Sequence, residues 1–207
     1  MQNNWNENKI SLQGHLSAPP ALSHTNHGTP YFRLPISVSR LSGAMDHLNV
    51  IAAESMLEGL TLVKGAPLTV QGEVRTFNNR SGVGSKLIVS VFAKTLSQQE
   101  GLDENHLELS GTLCKPPSLR ATPLGRTICD MILAVNRRYG RADYLPCIAW
   151  GSLAHRCGAM DVGTTLSLIG RLQSRTYTKE VDGQLQERTA FEVSIMSLTC
   201  TEPSYIE

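Results

Sequence analysis

Aromatic residues and long apolar runs are both rare in this chain. Only 2 Trp, 5 Tyr and 4 Phe occur among its 207 residues, so a core has to be built mainly from aliphatic side chains. No apolar run approaches the roughly 18 residues that span a bilayer. The polar start, MQNNWNENK, lacks the apolar stretch of a secretory signal. These absences predict a cytoplasmic protein without a membrane partner.

Cysteine pairs with redox or metal-binding spacing are also absent. An odd number of unpaired cysteines in a chain without a signal favours reduced, mostly buried thiols over a disulfide framework. The five are Cys114, Cys129, Cys147, Cys157 and Cys200. His15, His24 and His27 fall on predicted loops without acidic neighbours, so we expect no metal site there.

The motifs of common enzyme classes are missing as well. There is no G-x-x-x-x-G-K-[ST] phosphate loop, no G-x-S-x-G elbow and no H-E-x-x-H zinc motif. We therefore expect a protein that is not an enzyme and needs no cofactor. Asp46 and Asp143, which recur at one place in two related segments, are predicted to cap turns rather than to act in catalysis.

The chain contains an internal duplication. Residues 14–53 align without a gap with residues 111–150 at an offset of 97, and 14 of these 40 pairs are identical. After a one-residue shift the similarity continues as KGAPLTVQGEV against VGTTLSLIGRL. Such a register predicts two copies of one domain. We place the first copy at residues 9–97, a polar linker at 98–106 and the second copy at 107–201.

Each copy has the hydrophobic pattern of short β-strands. In YFRLPISVSR and TICDMILAVNR the apolar residues recur with a period of two. Five such strands, with a short helix between the third and fourth and glycine-bearing hairpins, predict an all-β chain of two tandem OB-fold barrels. Some other small β-barrel is the alternative.

Basic residues are concentrated in the second copy. Residues 10–76 carry four basic and four acidic side chains, which cancel, whereas residues 109–176 carry nine basic and three acidic ones, an excess of six. Eight of those nine are arginine, which can pair with phosphate and stack on a base.

Aromatic residues on the predicted strands are also distributed unequally between the two copies. Tyr144 and Trp150 lie six residues apart on a predicted strand and so share a face, with the opposite face left for the core. Their counterparts in the first copy are His47 and Ala53, and Tyr139 is matched by a serine. Tyr177 aligns near Phe77 or Asn79 in the first copy.

A row of aromatic side chains on one strand face, flanked by arginines, is typical of a site that binds single-stranded nucleic acid. Phosphates attract the arginines, and unpaired bases stack on rings at about 1–3 kcal/mol per base. A duplex hides those base faces, so stacking selects for single strands. The other interpretation is that the rings cap a barrel end or fill an oligomer interface.

The second copy resembles the bacterial single-stranded DNA-binding proteins of replication and repair. The resemblance rests on SGTLCKPPSLRATPLGRTICDMILAVNRR, ADYLPCIAWGSLA and GTTLSLIGRLQSRTYT, which span about 109–178. It implies an OB fold, a nucleoid location and base stacking by four rings. Together with the flanking arginines, the predicted DNA-binding residues are Tyr139, Tyr144, Trp150, Tyr177, Arg120, Arg137, Arg138, Arg141, Arg171 and Arg175.

The resemblance also carries expectations about assembly. The family normally assembles four OB folds, so two per chain predict a homodimer. The family's flexible tail with an acidic tip has no counterpart after TCTEPSYIE, so we expect no recruitment of partner enzymes by that route. Pro-Pro replaces the family's D-P in both copies. The first copy keeps the framework GHLSAPP…HGTPYF without most rings, so we expect it to bind weakly or to serve in assembly.

The resulting hypothesis is a protein that binds single-stranded DNA largely without sequence specificity and protects it during replication, recombination or repair. Two alternatives stay open. One is a structural OB-fold module of a primosome, conjugative or phage complex. The other is a binder of single-stranded RNA.

Overall fold

The computed structural model describes residues 7–79, 85–137, 140–181 and 183–201. The first copy forms β1 (Asn8–Leu16), β2 (Ala21–Asn26), β3 (Thr29–Ser39), β4 (Met45–Ala53), a 3₁₀ turn (Glu54–Met56), β5 (Pro67–Asn78) and β6 (Leu87–Ser97). The second forms β7 (Glu104–Leu113), β8 (Ser118–Ala121), β9 (Thr127–Asn136), β10 (Ala142–Trp150), α1 (Ser152–Gly158), β11 (Thr165–Val181) and β12 (Gln184–Thr201). The predicted all-β class is confirmed.

Two compact units make up the chain. The N-terminal unit contains Lys9–His106 together with Leu172–Phe191. The C-terminal unit contains Leu107–Arg171 with the described residues 7–8 and 192–201. Part of the second copy, residues 172–191, therefore belongs to the same unit as the first copy. The predicted domain limits follow the sequence repeat and stay predictions.

Strand pairing closes the N-terminal unit into a ring of five strands. β1 pairs with β3 through Leu16↔Ile36 and with β5 through Leu12↔Val70. β3 pairs with β4, and β5 with β6, in antiparallel fashion. The ring closes where β4 and β6 run parallel, with Val50 beside Val91. A closed ring leaves no unpaired edge among its five strands.

The same ring recurs in the C-terminal unit at the offset found in the sequence. β7 pairs with β9 and β11, β9 pairs with β10, and β10 runs parallel to β12. β11 and β12 are neighbours in the sheet, which closes the ring. Tyr31↔Ala53 between β3 and β4 becomes Ile128↔Trp150 between β9 and β10. Both registers shift by 97 residues, as the duplication predicts.

Each ring has an aliphatic core. The residues predicted to share one face of β3 and β9 are buried, apart from the half-buried Phe32. The fully or nearly fully buried ones are Leu34, Ile36, Val38, Cys129, Met131, Leu133 and Val135. This period-two burial explains why so few aromatics are needed inside.

The helical segments differ between copies, and two strands were not predicted. SLAHRCG forms α1, but ESM forms only a 3₁₀ turn. The short strands β2 and β8 add to the edges of β3 and β9. All six residues of β2 and all four of β8 are exposed, so they lack the apolar alternation that marks a strand. No helix in the described ranges is long and apolar enough to cross a membrane.

Candidate nucleic-acid interface

β10 presents two rings on its outward side. Tyr144 is 53% and Trp150 39% exposed, whereas Leu145, Cys147 and Ala149 are at most 2% exposed. The six-residue spacing places their Cα atoms roughly 20 Å apart along the strand. The prediction that the two rings share one face opposite the core is confirmed.

A groove of about 320 Å³ lies on the same stretch of β10. Pro146 lines it on the outward side of the strand, between the positions of the two rings. The groove is therefore placed beside surfaces on which bases could stack. The other residues that line it are Lys115, Pro116, Ser118, Asp130, Met131, Ile132, Cys147 and Glu192.

Arg120, on β8, pairs with Asp130, one of the residues that line this groove. Its Nε donates to Oδ2 of Asp130 at 2.5 Å, and the two side chains are 49% and 39% exposed. An exposed pair of this kind contributes roughly 0–1 kcal/mol. The guanidinium can therefore exchange the carboxylate for a phosphate at little cost.

Arg137 is held differently, in a partly buried ion pair. Its Nε donates to Oδ2 of Asp143 at 2.6 Å, and its second nitrogen bonds the other carboxylate oxygen. Arg40 and Asp46 form the same bidentate pair in the first copy. Both aspartates are fully buried. The prediction that Asp46 and Asp143 cap turns is wrong, because each carboxylate instead pairs with the arginine across its hairpin. A DNA contact by Arg137 stays a prediction.

The remaining predicted residues are spread over the two units. Arg141 is exposed in the C-terminal unit. Arg171 is half-buried there, and its Nε has no hydrogen-bond partner in the described residues. Arg175 and Tyr177 belong to the N-terminal unit, where the Arg175 guanidinium lies 5.4 Å from the centre of the Tyr177 ring. Arg138 and Tyr139 lie outside the described residues.

The first copy uses the corresponding end of β4 for a protein contact. The backbone N–H of His47, the counterpart of Tyr144, donates to Oγ of Ser174 at 2.8 Å. The N–H of Ser174 in turn donates to Oδ1 of Asp46 at 2.8 Å. Residues 172–191 thus pack on this end of β4 within the N-terminal unit. The His47 side chain is exposed, and its Nδ1 lies 3.1 Å from Oγ of Ser37.

Two glycines settle the counterpart of Tyr177. A Cβ added to Gly72 would collide with the carbonyl oxygen of Phe92, and one added to Gly170 with that of Ser194. The two glycines occupy the same place in the two rings, at an offset of 98. Asn79 is therefore the counterpart of Tyr177, and that ring is absent from the first copy.

Sequence reasoning missed a ring cluster in the first copy. The rings of His24 and Tyr31 are stacked, with centroids 5.0 Å apart and planes 7° apart. Tyr31 also contacts Phe92, at 5.5 Å and 41°. The available signal was Tyr31 itself, which alternates with the buried residues of β3 and so points outward.

Several thiols are buried, and two of the histidines lie on strands. Burial raises the pKa of Cys147 and raises that of Cys157 to about 11, so both stay protonated at neutral pH. His15 and His24 lie on strands, not on loops, and His15 Nδ1 is 3.4 Å from Asp103 Oδ1. The prediction that these histidines have no acidic neighbour is therefore wrong for His15. Within the described ranges no group of three potential ligands could hold a metal.

Each of the two units closes five strands into a barrel, and the C-terminal barrel has exposed aromatic side chains and a groove on its outward face. This arrangement defines a β-barrel protein of the oligonucleotide-binding class. Residues 104–200 match the single-strand binding protein family. Single-stranded DNA-binding protein B of Bacillus subtilis is 34% identical over 83 residues, which are 37% of this chain and 74% of that protein. The chain belongs to the single-strand binding protein family.

Other relatives are covered less completely. Single-stranded DNA-binding protein A of Bacillus subtilis is 33% identical over 106 residues, 48% of this chain and 60% of that protein. Single-stranded DNA-binding protein 2 of Listeria innocua is 33% identical over 87 residues, 39% of this chain and 54% of that protein. The chain thus spans only a little over half the length of these two curated relatives.

Solved structures of a single-stranded DNA binding protein resemble the whole chain. The wild-type single-stranded DNA binding protein from Thermus aquaticus superimposes with a TM-score of 0.77 at 25% identity, over 98% of this chain and 96% of that one. A deletion mutant of that protein gives a TM-score of 0.76 at 26% identity, over 97% of each chain. The likeness covers both units, whereas the family match covers only the second copy.

Proposed function

We propose that this chain binds single-stranded DNA largely without sequence specificity and protects it during replication, recombination or repair. The family membership supports the ligand, and the outward face of β10 supports the mechanism. Bases would stack on Tyr144 and Trp150, and phosphates would pair with the nearby arginines. Such a protein would act in the cytoplasm, on the nucleoid, and no catalytic activity is assigned to it.

The observation that carries this proposal is the exposure of Tyr144 and Trp150. Fully burying an aromatic side chain stabilises a protein by roughly 1.5–3 kcal/mol, so two rings left 53% and 39% exposed forgo much of that gain. The same strand buries smaller side chains on its other face. A ligand with flat apolar faces would recover the lost burial when it stacks on the rings.

Other predicted residues join this proposal with different weights. Arg120 and Arg141 are exposed in the same unit as the two rings and would contact phosphates. Tyr177 and Arg175 would act as a pair, a ring with a cation above it. Arg137 would contribute mainly through the fold. Two copies of the chain would supply the four barrels that the resemblance predicts, so we propose a homodimer.

A second candidate function has one observation in its favour. In the N-terminal unit two residues at the start of β4, Asp46 and His47, form hydrogen bonds with Ser174. The corresponding face of β10 could likewise bind a protein in a primosome, conjugative or phage complex. In that case Tyr144 and Trp150 would be interface residues, and single strands would leave them unaffected.

Fluorescence distinguishes the two functions. The chain has 2 tryptophans, so Trp5→Phe leaves Trp150 as the reporter. Titration with oligo(dT) should quench its emission strongly, and added salt should weaken the effect because phosphate contacts release counterions. A folded protein that shows no quenching at low salt would favour the assembly function. Matched RNA oligonucleotides, titrated in parallel, test the alternative of RNA binding.

A further inference from the structure

The N-terminal unit has its own set of outward aromatic side chains. They lie far in the sequence from the residues predicted to bind DNA. We call His24, Tyr31 and Phe92 the N-terminal ring cluster. They come from β2, β3 and β6, and no residue of the cluster is fully buried. Tyr31 is sandwiched by contacts to the other two rings, whereas His24 is exposed and stacks on Tyr31 through one face only.

The backbone register explains why rings fit here. Tyr31 lies opposite Ala53, a small residue that leaves room on the outward side of β4. Phe92 lies beside Ile51 on the parallel strand. Both contacts are on the outward side of the ring of strands, away from the core residues Leu34 and Val50.

The C-terminal unit has Trp150 at the corresponding place. Trp150 lies opposite Ile128, the counterpart of Tyr31, and Ser194 stands where the first copy has Phe92. The two copies therefore place rings at the same end of the same strand face but on different strands. In the second copy the aromatic side chain, Trp150, lies on β10. In the first copy Tyr31 lies on β3 and Phe92 on β6.

A free cation lies beside the cluster. Arg33 is two residues from Tyr31 on the outward side of β3, and it is exposed. In the part of the chain that the structure describes, its guanidinium has no ion-pair or hydrogen-bond partner. Its counterpart in the second copy is Asp130, which is paired with Arg120. Here the basic group is uncompensated.

From this arrangement we propose that the N-terminal ring cluster is a second base-stacking site, at positions different from those used by the second copy. A base stacks on the open face of His24, and Arg33 pairs with the adjoining phosphate. The Tyr31 ring supports His24 from the other face and itself contacts Phe92. This inference rests on the proposed binding of single-stranded DNA. Of the two expectations for the first copy, weak binding or a role in assembly, it favours binding.

Photo-crosslinking of the unaltered full-length chain tests the site directly. Oligonucleotides carrying 5-iodo-deoxyuridine, about 30 nucleotides long so that several barrels can be occupied, are irradiated with the protein, and the linked peptides are identified by mass spectrometry. We expect links to His24 or Tyr31 in addition to links to Tyr144 or Trp150. Links confined to Tyr144 and Trp150 would overturn the second site and leave the proposed function intact. Failure of the chain to bind at all would overturn both.

Variants give an independent measurement. His24→Ala with Tyr31→Ala should weaken binding of a roughly 30-nucleotide oligo(dT) by about tenfold, since two stacking rings are lost from one site. Leu22→Ala is the matched control, because Leu22 is an exposed apolar residue of the same strand, β2, outside the cluster. Equal affinities for the double variant and the control would overturn the proposal. Circular dichroism confirms that each variant is folded.

Discussion

The two copies share the residues that build the barrel and differ in the residues that face outward. The Arg40–Asp46 and Arg137–Asp143 pairs are duplicated with the same bidentate geometry and the same complete burial of the aspartate. The outward Tyr, Trp and Phe side chains are not duplicated at equivalent positions, and Tyr144 is matched by His47. The copies therefore show which identities the fold requires and which were free to change.

The positions of the exposed aromatic side chains also differ between the two copies. On β4 the position equivalent to Tyr144 is His47, whose backbone contacts Ser174. On β10 Tyr144 is more than half exposed. The first copy has its aromatic side chains at the other end of the face, around Tyr31.

The largest effect that the comparison predicts concerns the rings of β10. Tyr144→Ala with Trp150→Ala should weaken single-strand binding by about 100-fold, because two bases lose their stacking surfaces. His47→Ala with Ala53→Gly, at the equivalent positions, should change the affinity less than about threefold on the same reasoning. Fluorescence anisotropy of labelled oligo(dT) measures both. Similar losses from the two double variants would contradict the assignment of β10 as the main binding strand.

The duplicated ion pairs should respond alike in stability. Asp46→Ala and Asp143→Ala each leave an arginine without its carboxylate, and breaking a buried pair in this way costs about 3 kcal/mol. Asp46→Ala also removes the acceptor for the N–H of Ser174. Thermal unfolding followed by circular dichroism measures the loss.

A matched exposed pair serves as the control for stability. Arg120→Ala breaks the Arg120–Asp130 pair, whose side chains are 49% and 39% exposed, and should lower stability by less than about 1 kcal/mol. If Asp143→Ala lowered stability no more than Arg120→Ala does, the duplicated ion pairs would not be important for the stability of the fold.

Much of the barrel could be predicted, because the alternation of buried and outward side chains along each strand is visible as a period of two in the sequence. TICDMILAVNR alternates buried and half-buried side chains as expected, and the duplication supplied a second example of each strand. The exposed strands β2 and β8 could not be predicted, since they pair through backbone groups and bury no side chain. The role of Asp143 was missed for a different reason. Its partner Arg137 is six residues away, across a hairpin whose closure the sequence pattern does not specify.

The candidate site was only partly predictable. Parity along one strand was enough to place Tyr144 and Trp150 on one face. The N-terminal ring cluster instead joins β2, β3 and β6, and the contact of Tyr31 with Phe92 spans 61 positions in sequence. Contacts of that range depend on strand order, which no local pattern contains.

Arg141 tests whether the basic excess of the second copy acts on phosphates. It is exposed, and its counterpart at the 97-residue offset is Ala44. Arg141→Ala should reduce the slope of log affinity against log salt by about 0.7, the value for one lost phosphate contact with a single strand. Anisotropy titrations at several salt concentrations give the slope. An unchanged slope with unchanged affinity would remove Arg141 from the interface.

The smallest predicted effect has the opposite sign. Asp130→Asn removes the acidic partner of Arg120 at the groove and leaves that guanidinium free, as Arg33 is in the first copy. Binding of oligo(dT) at low salt should strengthen by about two- to threefold, in line with the 0.2–1 kcal/mol typical of exposed ion pairs, and the gain should disappear at high salt. Glu73→Gln is the control, because Glu73 also pairs with two cations, Arg75 and Lys94, but on strands β5 and β6 of the N-terminal unit. The Asp130→Asn gain would have to exceed that of the control for Arg120 to count as a phosphate contact. A gain that persists at high salt would instead indicate a change in the shape of the groove.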